Sequence, residues 1–200
     1  MEERSRFGFV NSNTSAPKYA YGFFAVTKAH FIAALVNIER LKKKRLSDSG
    51  QYTHVDFVIL TKIKLSQRKI DLLEDVKLRT YPKLPSPKGY YYESMVKLLF
   101  YNMTEYYRII YMDIDALVLK PLDELFNLPA SVSLASPVAY WENELCFTSA
   151  LLVIKPNHKT WLELLSRMDE MYDGFRSGRT NACMLCMWER VSTQEELYRL

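Results

Sequence analysis

Two hundred residues make a single domain with enough chain for a real core. Hydrophobic residues are 48%, charged residues 25% and aromatics 14%, with 14 Tyr, which excludes a disordered chain and favours a packed or carbohydrate-facing protein. The net charge of +4 gathers in Arg40 to Arg45, whose ordinary place is a solvated helix end; with no aromatic–basic interleaving beside it, no nucleic-acid partner is expected.

No apolar run is long enough to span a membrane. The leading residues Met1-Glu-Glu-Arg-Ser-Arg lack the apolar core of a signal peptide, so a cytoplasmic location is expected. The three cysteines, Cys146, Cys183 and Cys186, are an odd count and argue against a disulfide framework.

Residues 1–18, rich in Ser, Asn and Thr, read as a loose leader. Tyr19 to Val26 is aromatic and β-branched and predicts a first strand. Lys28 to Leu46 keeps helical spacing through Phe31, Ala34, Leu35, Ile38 and Leu41. His54 to Leu60 predicts a second strand, Ser66 a cap for a helix through Glu74, and Val76 to Thr80 a third strand. This alternation implies a parallel sheet covered by helices, in which apolar strands are expected. Tyr81 to Gly89 is a proline-rich loop, followed by Tyr90-Tyr-Tyr, a loop anchor or a sugar platform. Glu93 to Tyr101 reads as helical, Arg108 to Met112 as a fourth strand and Leu122 to Phe126 as a helical turn. Ser131 to Ala135 and Phe147 to Ile154 predict two more strands. Trp161 to Met171 predicts a helix with Leu162, Leu165 and Met168 inward. Residues 176–200 dissolve into an atypical tail with one candidate helix at Thr193 to Leu200.

The chemistry concentrates where the fourth strand ends. Asp113 and Asp115 follow the apolar run Ile109 to Met112, and a carboxylate costs several kcal/mol to bury without a partner. In an extended segment residues i and i+2 share a side, so both carboxylates could grip one hard divalent cation. The carboxyl end of such a strand is also where open α/β sheets bind ligands, and a diphosphate is what needs a cation there. The alternative is an Asp-x-Asp that forms a solvated turn or helix start.

The segment from Lys97 through Pro156 resembles glycosyltransferase family 8, in its glycogenin-like, fungal-type branch. The likeness rests on Lys97-Leu98, on Tyr107-Arg-Ile-Ile-Tyr-Met-Asp-Ile-Asp-Ala-Leu-Val-Leu-Lys-Pro-Leu-Asp-Glu-Leu-Phe and on Phe147-Thr-Ser-Ala-Leu-Leu-Val-Ile-Lys-Pro. Phe24 to Leu41 is similar to the family's first nucleotide-binding strand and helix, and the likeness spans residues 19–172.

The resemblance implies an α/β fold of the GT-A type, a Rossmann-like, mostly parallel sheet flanked by helices, over residues 19–175. It implies a UDP-sugar donor, an acceptor, Mn2+ and retention of configuration. Asp113 and Asp115 stand at the metal-binding pair, with Ile114 where alanine is common and its backbone toward the nucleotide. Lys97 matches a lysine that helps hold the donor. Thr27 and His30 fall where the family touches the uridine, His30 in place of the usual tyrosine. Thr148, Ser149 and Ala150 stand where relatives have Asn-Ser-Gly in the sugar pocket. Ordinary strand packing, a solvated helix lysine and a structural histidine are the plain alternatives.

Two family features are missing. Tyr172-Asp173 stands where the family's helix-opening pair begins, but Arg176 to Leu200 does not continue that element, and the third metal ligand, a histidine near Lys-Pro-Trp, has no counterpart; neither His54 nor His158 fits that context. The chain is therefore expected to be C-terminally incomplete, or to carry a tail from a different reading or splice. The rivals are a remnant that binds donor or partner without transfer, and a metal or redox module on Cys183-Met-Leu-Cys186, for which a structural zinc would lack its four ligands.

Overall fold

Side-chain alternation on the central strands assigns two faces of one sheet. The computed structural model describes residues 17–47, 55–73, 75–84, 93–141, 147–168 and 196–200. Its first strand β1 (Tyr19–Ala25) lies between β2 (Val55–Thr61) and β4 (Arg108–Met112), parallel to both, and β2 pairs in parallel with β3 (Val76–Arg79). On the far side, β6 (Leu151–Ile154) runs antiparallel to β4 and to β5 (Val132–Ser136), and β7 (Glu196–Arg199) runs parallel to β5. The seven-stranded order is β3-β2-β1-β4-β6-β5-β7, a mostly parallel mixed sheet.

Ala20, Phe24, Ile109 and Tyr111 face a core closed by the 3-10 helix Glu93–Asn102 and by α3 (His158–Ser166). Tyr21, Phe23, Ile110 and Met112 face the opposite core, closed by α1 (Lys28–Ser47) through Phe31, Ala34, Ile38 and Leu41. Strands covered on both faces are expected to be mostly apolar, as β4 is from Ile109 to Met112, while the buried Arg108 at its start donates Nη2 to Pro129 O at 3.0 Å.

Gly22 sits where the 3-10 helix comes closest to β1. A Cβ there would lie 2.6 and 2.7 Å from ring atoms of Phe100 and 3.2 Å from Ile109 Cγ2. Phe100 is fully buried and packs against Tyr111 at a centroid distance of 5.4 Å, so it has nowhere to move. Gly22→Ala is expected to cost about 1–3 kcal/mol by overpacking. A melting temperature unchanged to within about 1 °C would show that the ring yields.

Several elements differ from the sequence reading. The helix expected through Glu74 is α2 (Gln67–Asp71), and Ser66 caps it by backbone geometry without a side-chain bond. The sixth strand is four residues, Leu151–Ile154; Phe147 only bridges Val138, because Thr148 to Ala150 turn. The helix expected from Trp161 begins at His158, where the Asn157 side chain accepts from the Lys159 and Thr160 amides. Its face packed into the core carries Trp161, Leu164 and Met168, and Leu162 is 50% exposed. Of the helix expected at Thr193 to Leu200, the described residues form β7 instead, since pairing beside β5 satisfies their backbone groups.

The basic run at the end of α1 is engaged in structure. Arg40 Nε donates to Val118 O at 2.6 Å, and Arg45 Nε meets Asp123 Oδ2 at 2.7 Å. Tyr21 donates to the other oxygen of Asp123 at 2.6 Å. His54, Tyr90 to Tyr92, Cys146, Cys183 and Cys186 lie outside the described residues, as do residues 1–16 and 169–195. Among the described residues no helix is long and apolar enough to cross a membrane.

Candidate active site

Because β6 runs against β4, the segment entering β6 lies beside the segment leaving β4. Met112 pairs with Leu151, and the Asp113 amide continues the ladder by donating to Ala150 O at 2.8 Å. There the strand stops. The Ala116 amide donates to Asp113 O at 3.2 Å, closing a turn over Asp113 to Ala116. The two aspartates therefore occupy a turn at the carboxyl edge of β4, not the extended i, i+2 geometry expected from the sequence. Ile114 between them packs its side chain against the α1-side core.

Asp113 is held from the opposite side of the sheet. Strand alternation points it the same way as Tyr111, toward the 3-10 helix that carries Lys97. Lys97 Nζ lies 2.9 Å from Asp113 Oδ1, 3.1 Å from Ser149 Oγ and 3.3 Å from Ser149 O. It also stands 5.1 Å from the centre of the Tyr111 ring. Three acceptors match the three donors of an ammonium, which lets Lys97 be only 5% exposed. The Tyr111 hydroxyl also donates to Asp113 Oδ1. Burial, then the charge of Asp113, pushes the Tyr111 phenol well above its usual range, so it stays a neutral donor.

The second aspartate is placed by α1. Asn37 is 2% exposed; its Nδ2 donates to Ala116 O at 2.8 Å and its Oδ1 accepts from the Val118 amide at 3.0 Å. With the Arg40 bond to Val118 O, this pins the chain just after Asp115. The Asp115 carboxylate itself is exposed and makes no hydrogen bond or ion pair among the described residues.

The other expected residues gather at the same edge in different roles. Thr27 Oγ1 accepts from the His30 amide at 3.2 Å and so caps α1, while the half-buried His30 side chain lies on the first turn. Thr148 Oγ1 accepts from the Ala150 amide at 3.2 Å, shaping the turn that presents Ser149. Neither Thr27 nor His30 bonds the aspartate turn among the described residues. His158 lies elsewhere, with Nδ1 2.8 Å from Asn102 Oδ1.

Sequence reasoning gave no role to Tyr111 or Asn37. A phenol two places before Asp113 on the same strand face is a signal for the first. An amide inside the apolar stripe of α1 is a signal for the second.

The donor set suits a hard divalent cation: two carboxylates, with Asp113 Oδ2 receiving no donor and Asp115 unpaired among the described residues. No third His, Cys, Asp or Glu joins them to form a larger cluster among the described residues.

This sheet, with a carboxylate turn at the edge where a parallel pair ends, is an α/β fold of GT-A architecture. The Streptococcus pneumoniae glycosyltransferase GlyE shares the fold at a TM-score of 0.61 and 15% identity, over 92% of this chain and 45% of that one. No protein-family profile matches the chain. "Glucose N-acetyltransferase 1" of Saccharomyces cerevisiae is 34% identical over 146 residues, covering 70% of this chain and 28% of that protein. The Arabidopsis thaliana "Putative UDP-glucuronate:xylan alpha-glucuronosyltransferase 3" is 31% identical over 107 residues, 52% of this chain and 16% of that protein. The chain is similar to these proteins over part of its length, and it spans little more than a quarter of the yeast relative.

Proposed function

We propose that this chain binds a UDP-sugar together with Mn2+ and transfers the hexose to an acceptor with retention of configuration. The observation that carries the reading is the convergence of Asp113, Lys97 and Ser149, from three separate elements, beside an Asp115 with no partner among the described residues. The name of the Arabidopsis relative, which specifies UDP-glucuronate, supports a UDP-sugar donor.

Asp113 and Asp115 would hold the cation, which supplies Lewis-acid neutralisation of the diphosphate as charge grows on it. Lys97, whose three donors go to Asp113 and Ser149, would add a positive charge beside the diphosphate. Ser149 and Thr148 present hydroxyls toward the sugar, and Thr27 and His30 flank the base. The acceptor hydroxyl adds to the anomeric carbon as its bond to the phosphate oxygen breaks, through an oxocarbenium-like state. Among the described residues no third Asp or Glu joins the pair to act as a covalent nucleophile, and attack proceeds from the leaving-group face with the departing phosphate taking the hydroxyl proton.

The test is Mn2+-dependent release of UDP from UDP-glucose or UDP-galactose. Asp115→Asn is expected to abolish it, and equal turnover in EDTA would sink the metal role. The two-carboxylate donor set favours a second reading, donor binding without transfer. Calorimetry with UDP and Mn2+ beside the turnover assay separates the two.

A further inference from the structure

Asp113 is bonded in an unusually lopsided way. Both of its side-chain donors, the Lys97 ammonium and the Tyr111 hydroxyl, go to Oδ1, and none among the described residues goes to Oδ2. The two donors also fix each other, since Lys97 lies over the Tyr111 ring and is tied to Ser149. Tyr111 is buried, held by the Phe100 ring at 5.4 Å. Its hydroxyl therefore marks a nearly fixed point in space. A carboxylate anchored at one oxygen by two donors cannot spin freely about its last torsion.

We propose that Tyr111 is a positioning residue that commits Asp113 to bind the cation through Oδ2 alone. This rests on the proposed cation site and deepens it. Lys97 supplies charge and Tyr111 supplies direction: a phenol on a rigid ring defines where Oδ1 sits, whereas a lysine follows its partner on four rotatable bonds. Outer partners of this kind change metal affinity by about 10–100-fold when removed.

The experiment is a Mn2+ titration of the intact chain without nucleotide, following the electron paramagnetic resonance signal of free Mn2+, for the wild type, Tyr111→Phe and Asp115→Asn, with melting curves for each. Tyr111→Phe is expected to bind Mn2+ about tenfold or more weakly while melting within a few degrees of the wild type. If Asp115→Asn loses binding and Tyr111→Phe matches the wild type, the positioning role is overturned and the cation site stands. If the wild type binds no better than Asp115→Asn, the cation site itself is wrong and the inference goes with it. Should Tyr111→Phe unfold, Tyr111→4-fluorophenylalanine fills the hydroxyl's volume without donating, and the same tenfold loss is required of it.

Discussion

Lys97→Met is expected to lower stability by about 2–3 kcal/mol and to weaken UDP binding by about tenfold or more. Removing one partner of a buried ion pair costs about 3–5 kcal/mol because the other charge is stranded. The Asp113 side chain is 28% exposed, so water recovers part of that cost, and the Tyr111 hydroxyl still reaches Oδ1. Ser149 loses its partner at both Oγ and O. In a chain of this size each kcal/mol moves the melting temperature by about 2–4 °C. The UDP effect follows from removing a positive charge beside the proposed diphosphate site, with about 1.4 kcal/mol of lost attraction for each tenfold. Calorimetry with UDP checks it. Undiminished UDP affinity with a lowered melting temperature would assign Lys97 to structure alone.

Asn37→Leu is expected to cost about 2–5 kcal/mol and to loosen the segment after Asp115. Leucine fits the volume but leaves the Val118 amide and Ala116 carbonyl without the partners Asn37 provides, each unmet group costing about 1–3 kcal/mol. The Arg40 bond to Val118 O keeps the segment near its place. Denaturant melts read the stability, and Mn2+ affinity reads the placement of Asp115. A variant as stable as the wild type would show that water replaces the amide.

Much of the architecture was visible as periodicity. β4 lies at Arg108–Met112 as expected, and α1 follows the stripe Phe31, Ala34, Ile38, Leu41, because a buried face repeats every 3.6 residues whatever it packs against. Weak local signals went astray. Asn157 caps α3 so that it begins at His158, three residues ahead of the apolar run, and packing buries Trp161 and Leu164 and leaves Leu162 outward. Glu196–Arg199 has no periodicity of its own and becomes a strand only beside β5. The carboxylate pair was legible as a motif, but its shape was not. The turn closes through the Ala116 amide on Asp113 O, where the Asp113 amide has found Ala150 just ahead of β6, in a segment distant in sequence.

Local sequence alone determined the central strands and the long first helix, that two acidic groups end an apolar strand, and the resemblance of those residues to a sugar-transferring family. Such features depend on side-chain type and spacing along the chain, which need no partner to be read. Only tertiary structure decided that β6 runs antiparallel, that Lys97 spends its three donors on Asp113 and Ser149, and that Tyr111 and Lys97 share one oxygen. Those outcomes depend on which distant segments touch, and hydrogen-bond partners separated by dozens of residues leave no periodic trace.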